Sequence, residues 1–403
     1  MDLLIEGIER GYVQKTGLVT KMTVDGLTDN YPIYKVRLDC LYFNDQNDRI
    51  ATWISQYKEE NGFQTFDKNN KEKYNDKIQD FITESNPERL KQTQNNIALV
   101  GQQKFGVVLK DGRIVDGNRR FSCLRNLSKD DERFKWFETV ILDKNYEHNA
   151  KQIKMLELQI QIGEEARVDY NPIDRLVGIY RDLVDTELLK PEEYARSTND
   201  TVKNVKKLME ISKLLVEFLE AINAPGKFYI ARDMDLNGPL YELYGILNKI
   251  KDEDKKQQTK YIVFTNFLMK PSGDMTRFVR DLKKVAGSNY FDEFIDKEED
   301  ISEQILDMLG EYEDVNKEVI NKVRSKEDVK DQLENTMEKF SNKAKVADTR
   351  NKPSQTLIKA ISFVQAIDKR LVSKLGEEER LEIKENLDVL DEIISEIREV
   401  LNV

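Results

Sequence analysis

The chain has 403 residues, 39% hydrophobic and 34% charged, with a net charge of −11, which predicts two or three folded domains and argues against wholesale coating of nucleic acid while leaving room for a local basic face. Only two cysteines (Cys40 and Cys123) and one histidine (His148) occur, which excludes a disulfide framework, a cysteine zinc site and an H-E-x-x-H centre, and leaves a Ser-His-Asp triad only if it uses His148. No apolar run approaches the ~20 residues that span a bilayer, and acids stand where a signal peptide would carry basic residues, so a soluble, cytoplasmic protein without a membrane partner is expected.

In chain order, residues 31–50 begin with the alternation Ile33, Tyr34, Val36, Leu38 of a strand, and Asn44, Asn47 and Arg49 mark a turn. Helical, strongly charged spacing follows to about Leu99, interrupted by the polar insert DKNNKEKYNDK. IALVGQQK reads as a helix end closed by Gly101. FGVVLKDGRIVDG reads as a hairpin turning at Asp111-Gly112. NRRFSCLRNL resumes helical spacing, and WFETVILD is a further strand. From about residue 147 the pattern is almost wholly helical. His148 sits in the polar stretch KNYEHNAKQ and reads as a solvated side chain, so any hydrolytic chemistry falls to carboxylates, amides, arginines and a hard metal such as Mg2+. Asn171-Pro172 suits a helix start, Ala224-Pro225-Gly226 and Pro271-Ser272-Gly273 break helices, residues 296–353 alternate charge like a linker with some helix, and 354–403 form an amphipathic helical hairpin around Lys374-Leu375-Gly376.

Within this order, Asp116-Gly117-Asn118-Arg119-Arg120 forms a strand-to-helix turn suited to an anion. Glycine permits close backbone approach, a helix N-terminus offers free N–H groups, and two arginines supply planar forks for phosphate. The segment from Ile97 to Leu127 resembles the ParB/sulfiredoxin-like domain, whose members place a helix, a strand pair and a G-[EN]-R-R turn in this order. FNDQNDRI resembles that family's first motif, and LELQIQIGEEARVDYNPIDRL resembles the third motif of partition proteins, with Asp169, Asn171, Pro172, Ile173 and Asp174 matching its second half. The resemblance covers roughly residues 30–220. It implies an α+β domain, a small mixed sheet with helices over 1–146, that binds a nucleotide (CTP or ATP) with Mg2+. It also implies a helix-turn-helix within a helical domain over 147–295, and a mostly helical remainder. By position Asn47, Arg49, Gly117, Asn118, Arg119, Arg120 and Gln161 would hold the nucleotide and its phosphates, Glu157 would face the metal, and Asp116 and Glu157 would serve any hydrolysis. Asn118 replaces the Glu of partition proteins and the Cys of the sulfiredoxin turn; the sulfiredoxin reaction is therefore rejected, and Cys123 is expected to pack against the sheet.

Residues 187–220 then read as helix, polar turn and helix. Thr201, Lys203 and Asn204 would face base edges and Lys206 and Lys207 phosphates; the alternative is an ordinary bundle helix with a solvated lysine face. The preferred expectation is a nucleotide-regulated, homodimeric DNA-binding protein, with the 354–403 helices mediating self-association. The alternatives are a metal-dependent nuclease using Asp116, Glu157 and Asp169, a nucleotide hydrolase or phosphotransferase working in the same pocket, and an interaction module whose nucleotide site has decayed.

Overall fold

Two long strands open the chain: β1 (Val13–Val24) and β2 (Leu27–Arg37) form an antiparallel hairpin. Its turn residues, Asp25 and Gly26, take positive φ values of 54° and 78°, the backbone that an Asp-Gly turn adopts readily. The computed structural model describes residues 1–61, 66–67, 70–164 and 171–401. After β2 come α1 (Ala51–Glu60), α2 (Lys71–Ser85) and α3 (Pro87–Val100). They are followed by β3 (Gly106–Leu109), β4 (Ile114–Asp116), α4 (Asn118–Leu127) and β5 (Trp136–Leu142).

The strand order is β1-β2-β5-β3-β4. β5 runs antiparallel to β2 and parallel to β3, so the sheet is mixed. One face is covered by α2, α3 and α4, whose Ile78, Phe81, Ile97, Phe121 and Leu124 bury against Val36, Val108 and Ile141. The other face is covered by α5 (Tyr146–Leu158), through Ile153 and Leu156 against Val107, Val115 and Val140. Helix α5 also reaches the helical half, where its Leu158 joins the larger core. Cys123 is fully buried in the first of these layers, its Sγ donating to the Leu90 carbonyl oxygen of α3 at 3.5 Å.

The remainder is helical: α6 (Pro172–Tyr180), α7 (Pro191–Ser197), α8 (Val202–Ala221), α9 (Phe228–Asp233), α10 (Asn237–Leu247), α11 (Glu253–Met269) and α12 (Met275–Ala286). The core they share continues through residues expected to act as a charged linker. Helices α13 (Phe291–Gly310), α14 (Lys317–Arg324) and the first half of α15 (Glu327–Gln365) bury Ile301, Ile305, Leu309, Leu333, Met337 and Phe340. The dense charge is the solvent face of amphipathic helices whose apolar residues recur every three or four positions. Helix α15 spans the junction between the 296–353 and 354–403 segments, with Pro353 inside it. It is followed by α16 (Lys369–Val372) and α17 (Glu377–Leu401), neither of which buries a residue. Among the described residues, no helix is long and apolar enough to cross a membrane.

Helix α1 bolts the two halves together. Thr52 N–H donates to the Asp174 carboxylate at 2.8 Å, and the Arg232 guanidinium lies 3.8 Å from the centre of the Trp53 ring. Lys227, 2% exposed, donates to Glu59 at 2.9 Å and is also paired with Asp314.

One buried acid in the helical core makes a separate prediction. Glu298 is fully buried on α13 and accepts from the Asn266 amide at 3.0 Å, with its other oxygen unpartnered among the described residues. Burial pushes its carboxyl up to about 8, from an ordinary 4.5. Between these values the folded chain holds a proton that the unfolded chain has released, so stability falls as pH rises through the window and levels off above it. Glu298→Gln is expected to flatten that fall and to raise stability at pH 9 by on the order of 2 kcal/mol. Denaturant titrations of both proteins at pH 5 and pH 9 measure it; equal pH dependence would refute the assignment.

Candidate phosphate-binding cleft and helix-turn-helix surface

The turn that links β4 to α4 is shaped by close backbone approach. Gly117 caps α4 at φ 101°, and a Cβ there would meet the Phe137 ring at 2.8 Å. No side chain caps the helix, so its first N–H groups point toward the space in front of Gly117. That space is a cleft of about 270 Å³ lined by Asn47, Arg49, Asp116, Gly117, Asn118, Arg119, Arg120 and Gln161. All the residues expected to hold nucleotide thus line one cleft, although they come from three separate stretches of chain. Its size lies near the lower end for small-molecule sites.

Three side chains in the cleft have defined roles. Arg120 donates to Asp116 at 2.7 Å and to the Phe105 carbonyl at 3.2 Å, so it braces the turn from within. Asn47 accepts from the Arg49 N–H at 3.1 Å and fixes the opposite wall. Asn118 is 8% exposed, and its amide oxygen has no hydrogen-bond partner among the described residues. Such an amide can meet a phosphate oxygen through its hydrogens, or a polar hydrogen or metal-bound water through its oxygen. The cleft also holds Ser85, Thr93, Asn96, Gln103 and Lys104, which sequence reasoning missed. The one available signal was Lys104, a basic residue just before β3.

Glu157 does not line the cleft. It lies behind it, 2% exposed, and accepts from Gln161 at 3.3 Å. Around it is a buried charge cluster. The Lys154 ammonium sits 2.8 Å from Asp48, 3.4 Å from Asp182 and 3.7 Å from Glu157. Arg181 adds pairs to Asp48 at 2.6 Å and Asp182 at 2.9 Å. Both Arg181 and Asp182 are on the π-turn that extends α6 over Arg181–Asp185. Gly178 permits the approach, since a Cβ there would fall 2.6 Å from the Asp48 carboxyl carbon. Burial raises the Glu157 carboxyl above its ordinary range, against the pull of Lys154. Asp48 stays below its own range: burial pushes it up, and Lys154 and Arg181 more than offset that. Lys154 thus occupies the centre that a cation would take between three carboxylates. Among the described residues, no group of three or more His, Cys, Asp or Glu could hold a metal ion. Asp169, expected to join a metal set, lies outside the described residues. Cys123 is no nucleophile here, since burial pushes its thiol up to about 12.

The expected helix-turn-helix consists of α7 and α8. Its turn lacks a glycine, and Asn199 instead adopts the left-handed backbone at φ 50°. The Thr201 hydroxyl caps α8 by accepting from the Asn204 N–H at 3.1 Å. The Asn204 amide donates to the Asp200 carboxylate at 2.9 and 3.0 Å, and Asp200 pairs with Arg175 of α6 at 3.1 Å. Thr201 and Asn204 therefore hold the turn together. Lys203 and Lys206 face solvent, while Lys207 lies over the Tyr241 ring at 4.8 Å. An open groove between α8, α10 and α12 is lined by Lys203, Lys207, Tyr241, Glu242, Tyr244 and Lys283; along α12, Arg280 and Lys283 pair with Glu242 at 3.0 and 3.7 Å and Lys284 pairs with Asp281 at 2.6 Å.

No known family model matches the chain, and a search of curated proteins finds no match either.

Proposed function

We propose that this protein is a ParB-like, nucleotide-regulated DNA-binding protein. A nucleotide such as CTP or ATP binds with its phosphates at the N-terminus of α4, and DNA binds along α8. The observation that carries the reading is the cleft itself: an uncapped helix N-terminus, Arg49 and Arg119 face one space. These donors fit a polyphosphate. They fit a protein-held metal less well, because Asp116 is paired with Arg120 and Glu157 with Lys154; Mg2+ would enter on the phosphates, with Asn118 and bound water nearby. Those pairings also disfavour a nuclease built on Asp116 and Glu157. The exposed Lys203 and Lys206 of α8 support phosphate contact with DNA, and Thr201 and Asn204 hold the turn rather than read bases.

The DNA half is tested by fluorescence anisotropy on a labelled duplex across a salt series. Wild-type affinity is expected to fall with salt, and Lys203→Ala/Lys206→Ala to reduce the slope of log K against log salt by about 2, one unit for each lost phosphate contact. An unchanged slope would remove α8 from the interface.

A further inference from the structure

The stretch from Val346 to Leu401 leaves most of its apolar residues exposed. Of the 24 large apolar residues exposed among the described residues, 15 lie between Val346 and Leu401. Contiguous exposed apolar surface of this kind marks a contact site. In α17, Ile383, Leu387, Leu390, Ile394, Ile397 and Leu401 recur at alternating steps of four and three, the spacing of a helix-packing seam. Leu357, Ile361 and Val364 repeat the same steps near the end of α15. Leu387 and Ile393 are each 47% exposed, and Ile361 is 53% exposed.

The two segments carry opposite charge. Residues 352–374 hold five basic residues and one acid, a net charge of +4, whereas α17 holds ten acids and three basic residues, a net charge of −7. Two α17 helices alone would repel, and the basic segment is their natural complement. Helices from one chain can cover only one flank of each stripe, whereas four helices from two copies enclose both.

We propose that α17 of one copy packs on the basic end of α15 of a second copy, so that the chain forms a homodimer through a four-helix bundle exchanged between subunits. This proposal stands apart from the nucleotide and DNA reading and survives its failure.

Light scattering on the full-length chain at micromolar concentration is expected to give twice the 47.2 kDa of one chain, and Leu387→Lys/Ile394→Lys to give the monomer mass with unchanged thermal unfolding of the core. A monomeric wild type overturns the proposal. Charge reversal tests the exchange: Asp388→Lys/Asp391→Lys in one protein and Lys352→Glu/Lys359→Glu in another are each expected to shift toward monomer. An equimolar mixture should recover part of the dimer, because the mixed dimer regains one unaltered pairing of the +4 segment with the −7 helix. Loss of dimer in each variant without recovery on mixing would overturn the exchanged pairing, as would dimers unaffected by either reversal.

Discussion

Lys154→Met is expected to destabilise the protein by about 3–5 kcal/mol, the usual penalty for removing one partner from a buried ion cluster. Asp48, Glu157 and Asp182 are each 2% exposed or less, and Lys154 contacts all three. Without it, Arg181 alone faces three buried carboxylates. Combining Lys154→Met with Glu157→Gln should restore part of the loss, because one of those carboxylates is then neutral; the coupling is read from a double-mutant cycle in urea. A loss below 1 kcal/mol would mean that the cluster is hydrated and does not tie the Asn47–Arg49 wall to the helical domain.

Arg119→Ala is expected to weaken nucleotide binding roughly 10- to 100-fold, the scale of one charge-assisted hydrogen bond to phosphate. Arg119→Lys should recover part of that affinity, since a point charge remains without the planar fork. Arg120 is not the residue to substitute, because it braces the turn through Asp116 and Phe105. Its removal would mix lost folding with lost binding. Isothermal titration of a variant with wild-type thermal unfolding separates these effects, and unchanged affinity would place the phosphates elsewhere.

The cleft was legible in the sequence because its turn is local. Gly117, Asn118 and Arg119 sit side by side, and strand-to-helix chemistry needs no distant residue to be recognised. The Asp111-Gly112 hairpin and the Asn171 cap of α6 were legible for the same reason. Strand β1 was not, because its outer residues, such as Leu18 at 53% exposure and Val19 at 62%, face solvent and blur the alternation that marks a strand. Its Asp25-Gly26 turn was the signal to use. The charge cluster was illegible in principle. Asp48, Lys154 and Arg181 are far apart in sequence, and each reads as a surface charge until tertiary packing brings them together. Residues 296–353 misled through composition, since charge density describes the outer face of α13–α15 and hides the buried one.

The central claim rests on the cleft before α4 being a nucleotide site. Calorimetric titration of the wild-type protein with CTP, ATP and GTP, each in the presence of Mg2+, tests it most directly. Saturable micromolar binding of one nucleotide, lost in Arg119→Ala, is the expected result. A folded protein that binds none of the three would contradict it.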